Sequence, residues 1–134
     1  MKSYTSIEQS KKLLELGLNP ETADMCWEQH YNKEPIITVK PYTTKGKSIG
    51  AHCCDAWSLG ALLEAIPHII KDDDYTNEIT PLLYPMQGEW FCVYNELDTD
   101  GYSPYAEEKG TTPIEAVFNM IVWLFKNEYI KIKE

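Results

Sequence analysis

The stretch ITPLLYPMQGEWFCVYNEL (79–97) decides the fold class of this chain, because it has the pattern of a β-hairpin. Two runs rich in aliphatic and aromatic residues are separated by Gln87 and Gly88, which favour a turn at that point. Side chains alternate between the two faces of a strand, so the second run presents apolar residues on both sides. One face is expected to carry Trp90, Cys92 and Tyr94, and the other Phe91 and Val93.

The residues after the hairpin predict a short strand and then a helix. A turn at DTDG (98–101) precedes YSPYAEE (102–108), which is a candidate third strand. In TTPIEAVFNMIVWLFKNEYI (111–130), Thr112 suits the N-cap, a proline follows at the first helical position, and Glu115 can close a capping box. The apolar face of this helix is expected to comprise Ile114, Val117, Phe118, Ile121, Leu124 and Phe125.

The N-terminal stretch TSIEQSKKLLELG (5–17) predicts another helix with well-marked ends. Its start offers two alternative capping boxes, Thr5 with Glu8 or Ser6 with Gln9. Its final glycine fits the left-handed conformation that ends many helices.

The middle of the chain predicts one strand and one more helix. EPIITVKPY (34–42) is rich in β-branched residues and bounded by prolines, which indicates a strand at a sheet edge or one with only a short paired segment. In IGAHCCDAWSLGALLEAIP (49–67), a helix begins at Asp55 or Ser58, and HCCD is interpreted as the approach to it. The helix either ends near Ala65 or kinks at the following proline and continues.

These elements predict an α+β fold. We expect a single layer of three to four mainly antiparallel strands, packed by about three helices. A length of 134 residues suits one domain, and we take residues 1–134 as that domain.

The charge balance bears on the kind of partner that this chain can bind. There are 21 acidic and 12 basic residues, which give a formal net charge of −9. Such a field repels phosphate backbones and disfavours direct nucleic-acid binding. No apolar run reaches the roughly 18 residues that a membrane span needs, and the N-terminus lacks the apolar core of a signal peptide. The four cysteines then indicate reduced thiols in a cytoplasmic protein.

Four residues are candidate zinc ligands: Cys26, His30, His52 and Cys54. Their residue types suit zinc, but the spacing does not match the paired knuckles of structural zinc sites. In an extended segment Cys54 and its neighbouring cysteine point in opposite directions. We therefore favour the interpretation of these thiols as small apolar core residues.

A cysteine-dependent hydrolase is the second chemical hypothesis. Cys54 stands shortly before a predicted helix, whose N-terminus would lower the pKa of a thiol. His30, His52 and His68 are the candidate bases, but no recognised nucleophile motif surrounds the cysteine.

The loop ELDTDGYSPYAE (96–107) resembles the spacing of a calcium-binding EF-hand loop. A glutamate replaces the usual first aspartate, and the preceding residues predict a strand where an EF-hand has a helix. An acidic hairpin connection is the alternative. The candidate calcium ligands are Glu96, Asp98, Asp100 and Glu107.

Three stretches, which cover about half of the chain and are mainly helix signatures, are distinctive as a set: SIEQSKKLLELGLNPETADM (6–25), AWSLGALLEAIP (56–67) and TPIEAVFNMIVWLFKNEYI (112–130). Together they resemble a family of small uncharacterised proteins encoded by phages, prophages and mobile elements of gut Bacteroidetes. The resemblance implies a cytoplasmic accessory protein of a mobile element and carries over no catalytic residue.

The leading functional hypothesis is a non-enzymatic protein that binds another protein through an acidic, aromatic surface. A second copy of the chain is one candidate partner, and no catalytic residue or cofactor is assigned. The alternative is a small metal-binding protein or hydrolase that uses the Cys/His set or the acidic loop. Five tyrosines are either exposed anchors or caps on the core edges: Tyr31, Tyr42, Tyr102, Tyr105 and Tyr129.

Overall fold

The described residues form three α-helices and two antiparallel three-stranded sheets, which confirms the α+β class. The structure is a computed structural model that describes residues 3–29, 33–39, 51–71, 78–96 and 104–130. The helices are α1 (Ile7–Leu16), α2 (Leu59–Ala65) and α3 (Pro113–Lys126). The strands are β1 (Met25–Gln29), β2 (Ile36–Val39), β3 (Ala51–Ala56), β4 (Ile79–Met86), β5 (Glu89–Glu96) and β6 (Ala106–Gly110).

The strands lie in two sheets, whereas the sequence predicted a single layer. The first sheet has the order β2-β1-β3 and the second β4-β5-β6. The additional strands, β1 and β3, were not predicted, because MCWEQ and AHCCDA lack a run of β-branched residues. The segment HCCD therefore belongs to a strand, which corrects its interpretation as the approach to α2. β2 lies at a sheet edge, as its flanking prolines predicted.

The hairpin of β4 and β5 turns at Gln87 and Gly88, as predicted. Both residues have positive φ, 52° and 81°, and Met86 pairs with Glu89. Two such residues make a tight turn whose twist matches that of the strands.

Local signals set the ends of the helices. Ser6 and Gln9 form the capping box of α1, and Gly17 ends it with φ 107°. Ser58 caps α2, which ends at Ala65 without continuing past the proline. The amide of Glu115 donates to the Thr112 hydroxyl at the start of α3, 3.1 Å away.

One hydrophobic core joins the helices to the second sheet. α1 contacts both β3 and α3, and α2 contacts α3. α3 packs mainly on β5 and β6. Within the described residues, no helix has the length and apolar character that crossing a membrane requires. Large fully buried members of the core are Leu13, Trp57, Leu62, Tyr94, Met120, Ile121 and Leu124.

The segment before α1 is tied to the first sheet through Thr5. The amide of Thr5 donates to the carbonyl of Trp57, and the amide of Trp57 donates to the Thr5 hydroxyl, at 2.8 and 3.0 Å. The Trp27 indole donates to the carbonyl of Thr5 at 3.0 Å. These bonds satisfy polar groups that the buried position of Thr5 would otherwise leave unpaired.

Candidate functional site

The two candidate zinc ligands whose side chains are described point to opposite faces of the first sheet. Cys54 pairs with Trp27, whereas Cys26 pairs with Asp55, the next residue along β3. Residues opposite each other in antiparallel strands share a face, so Cys26 and Cys54 do not share one. The Cys26 sulfur lies 3.3 Å from the hydroxyl of Thr38. His30 and the side chain of His52 lie outside the described residues.

Cys54 has little access for a substrate. It lies within β3, four residues before the cap of α2, and its side chain is 7% exposed. His68, the third candidate base, is exposed in the segment that follows α2. Within the described ranges, no three His, Cys, Asp or Glu side chains come together in a group able to hold a metal ion.

The acidic loop is flanked by two strands that pair with each other. Glu96 ends β5, and Glu107 lies exposed on β6, opposite Val93. Asp98 and Asp100 lie outside the described residues. An EF-hand loop is flanked by two helices, so the described flanks differ from that motif.

Cys92 is fully buried on β5, between the second sheet and α3. Burial, followed by the nearby Glu108 carboxylate, raises the pKa of its thiol to about 12. A thiol held in its protonated form is a poor nucleophile, so this side chain acts as a small apolar core residue.

The stability of the fold is expected to fall as the pH rises from about 9 to about 12. In that range the unfolded chain loses the Cys92 proton while the folded chain keeps it. Burial raises the pKa of Tyr94 as well and adds to the same trend. A Cys92→Ala variant should show a smaller loss when unfolding is followed with urea across this range. An unchanged pH dependence in the variant would contradict the assignment to Cys92.

The two described tyrosines among the candidate anchors cap an edge of the core. The rings of Tyr105 and Tyr129 pack edge to face, and their hydroxyls are hydrogen-bonded to each other. Tyr129 also stacks on Trp123, with ring centroids 5.5 Å apart. Tyr31, Tyr42 and Tyr102 lie outside the described residues.

The second sheet has one face that carries large apolar side chains and is partly open to solvent. We call it the outer face, and define it by Leu82, Tyr84, Met86, Phe91 and Val93. Its open part runs from Leu82 to Met86, since Val93 is fully buried. Leu82 and Met86 are 50% and 47% exposed. The rings of Tyr84 and Phe91 pair across the strands and stack with centroids 5.6 Å apart. Contiguous exposed apolar surface of this kind is typical of interaction sites.

The outer face is the side of the second sheet that α3 does not cover. Cys92 and Tyr94 point to α3 and join the core, whereas Phe91 and Val93 point away from α3. The pairing of the strands then adds Leu82 opposite Val93, and Tyr84 opposite Phe91. Alternation in β5 predicted the two sets of residues, but the exposed members of β4 were not identified from the sequence.

Charged side chains occupy the β6 side of the outer face. Glu107 and Lys109 pair with Val93 and Phe91 and therefore share their face. Lys109 forms an ion pair with Glu89, with nitrogen and oxygen 3.6 Å apart. Two carboxylates and one ammonium give these positions a net charge of −1.

Both edges of the second sheet disfavour the addition of another strand. β4 contains Pro81 and Pro85, which have no amide hydrogen to donate to a new partner strand. On β6, the side chain of Asn119 donates to the carbonyl of Lys109 at 2.9 Å and occupies that acceptor. A protein that binds this sheet is therefore expected to lie across its face.

Asn95 lies at the end of the outer face, opposite Thr80. Its side-chain oxygen is buried and accepts no hydrogen bond from the described part of the chain. An unsatisfied buried polar atom costs about 1–3 kcal/mol.

Replacing Asn95 with valine is expected to raise the free energy of unfolding by about 1 kcal/mol. The change removes the unpaired oxygen and introduces a residue that favours strands. Urea unfolding of the variant and the wild type measures the difference. A loss of stability would mean that the amide makes a favourable interaction, and would contradict the prediction.

Searches of protein-family models, curated proteins and solved structures found no match to this chain.

Proposed function

We propose that this chain is a non-enzymatic protein that binds another protein through its outer face. In this proposal it is an accessory protein of a phage or other mobile element and acts in the cytoplasm. The exposed apolar surface of β4 and β5 carries the proposal. Leu82 and Met86 are about half exposed, and Tyr84 and Phe91 provide a stacked aromatic pair beside them. Aromatic and large apolar side chains supply most of the binding energy in protein interfaces.

The chemistry of the cysteines supports a binding role over catalysis. The thiol of Cys92 is buried and held protonated, and Cys54 is buried within a strand. Neither side chain has the exposure of a reactive cysteine. The acidic net charge makes a protein with basic groups a better partner than a nucleic acid.

Affinity capture with outer-face variants tests the proposal. The tagged wild-type chain is incubated with lysate of a gut Bacteroidetes host, and retained proteins are compared with those retained by Leu82→Glu. A carboxylate at this position places a charge in the apolar contact, so the partner should bind at least about tenfold more weakly, or about 1.4 kcal/mol.

Val39→Glu is the matched control, because Val39 is also an exposed apolar strand residue, 70% exposed on β2. The same partner should be retained by the wild type and by Val39→Glu. If both variants lost the partner equally, nonspecific binding to exposed apolar surface would explain its retention by the wild type. Equal retention by all three proteins would show that binding does not use the outer face. Either result would overturn the proposal.

A further inference from the structure

We infer that the partner of the outer face is an amphipathic helix whose apolar stripe is flanked by lysine or arginine residues. This inference rests on the proposed function and names the kind of protein segment that the surface fits. Three properties of the described residues favour it: the size of the face, the state of the sheet edges and the charge.

The size of the outer face suits a single helix. From Leu82 to Met86 the open part of the face is about 14 Å long, and three strands make it about 10 Å wide. A helix of about 9 residues is about 14 Å long and about 10 Å across. The opposite face already accommodates α3, a helix of 14 residues. A second helix would therefore complete a sheet packed on both sides.

The same dimensions disfavour a second copy of this chain on this face alone. The open footprint is on the order of 150 Å², whereas stable interfaces bury roughly 800 Å² on each partner. Two copies would also each bring a net charge of −9. Like charges at close range oppose association.

The edges of the sheet disfavour an extended peptide. Pro81 and Pro85 interrupt the donors of β4, and Asn119 occupies an acceptor of β6. A peptide bound as an added strand would leave some of its backbone groups unpaired, whereas a helix satisfies its own. A helix can thus bind the face through side-chain contacts, without backbone hydrogen bonds to the sheet.

The charge of the outer face determines which residues we expect beside the apolar stripe of the bound helix. The charged positions of the outer face are Glu89, Glu107 and Lys109, with a net charge of −1 on a chain of −9. Lysine or arginine beside the apolar stripe complements this field, and acidic flanks would be repelled.

A display library of random peptides of about 16 residues, long enough to span the open part of the face and to extend by about one turn at each end, tests the inference. Peptides are selected on the full wild-type chain and counter-selected on Leu82→Glu, with Leu82→Thr as a second, milder variant that keeps a strand-favouring residue. Recovered peptides should have apolar residues at helical spacing and a positive net charge. Synthetic copies should gain helical circular dichroism on binding.

Binding of these peptides should weaken about tenfold or more with Leu82→Glu, and less than about twofold with Val39→Glu. It should also weaken severalfold as the ionic strength rises from about 0.1 to about 1 M, which shortens the Debye length from about 10 to about 3 Å. Leu82-dependent peptides with alternating apolar residues, or with neutral or acidic flanks, would overturn the helix inference and leave the outer face as a binding surface. Recovery of no Leu82-dependent peptide would overturn both.

Discussion

Replacing Gly110 with alanine is expected to lower the free energy of unfolding by about 2–3 kcal/mol, a large part of the stability of a small domain. A Cβ atom at this position would lie 2.7 Å from the backbone nitrogen of Ala116 and 2.7 Å from the Cβ of Glu115. Both belong to the first turn of α3, which is anchored by its cap at Thr112. The helix would therefore have to move away from β6, and urea unfolding measures the cost.

Gly60→Ala is the matched control for this change. Gly60 lies within α2, and the nearest atom to a Cβ there is the Ser58 hydroxyl oxygen at 3.9 Å. The same chemical substitution should then raise stability by about 0.5–1 kcal/mol, because alanine favours a helix more than glycine does. Similar effects at both positions would contradict the explanation by close approach of α3 to β6.

The elements predicted correctly are those with local signals. The turn at Gln87 and Gly88, the capping box at Ser6, the N-cap at Thr112 and the glycine after α1 each depend on a few neighbouring residues. Such features are determined by short-range hydrogen bonds and backbone preferences, which a sequence displays directly. The helices and the hairpin could therefore be placed without knowledge of the tertiary structure.

β1 and β3 could not be predicted, because distant pairing stabilises them. Trp27 and Cys54 pair although 27 positions separate them in the chain, and the register shifts beside that pair. Their strands contain small and polar residues, whose preference for a strand depends on the neighbours that they meet. This also explains why Cys26 and Cys54 were candidates for one zinc site: their faces depend on the register of the two strands.

The outer face could not be identified from the sequence for a similar reason. The alternation in β5 predicted two apolar faces, one with Phe91 and Val93 and the other with Tyr94. Nothing in that alternation determines which face a helix covers, since both are apolar. α3 packs on the side of Cys92 and Tyr94, and this choice leaves Phe91 on the open side, stacked on Tyr84. An interaction surface thus becomes identifiable only once the helix is placed.

Replacing Trp57 with alanine is expected to have the largest effect of any substitution considered, a loss of about 3–5 kcal/mol in the free energy of unfolding. Trp57 is fully buried, joins β3 to α2, and its indole donates to the hydroxyl of Thr22 at 2.9 Å. Alanine would leave a large cavity at the point where the helices meet the sheets. Urea unfolding, followed by far-ultraviolet circular dichroism, measures the loss.

Thr22→Val separates the hydrogen bond from the packing. Thr22 is exposed, and valine removes the acceptor of the indole N–H together with the hydroxyl that donates to the carbonyl of Asn19 at 2.6 Å. That variant should lose about 1 kcal/mol, and Trp57→Phe should fall between it and Trp57→Ala, because phenylalanine fills part of the cavity. If Thr22→Val cost as much as Trp57→Ala, the indole would act mainly through its hydrogen bond. The loss of unfolding free energy should be largest for Trp57→Ala, smaller for Trp57→Phe and smallest for Thr22→Val. We expect this order only if burial of the Trp57 ring holds α2 to the core.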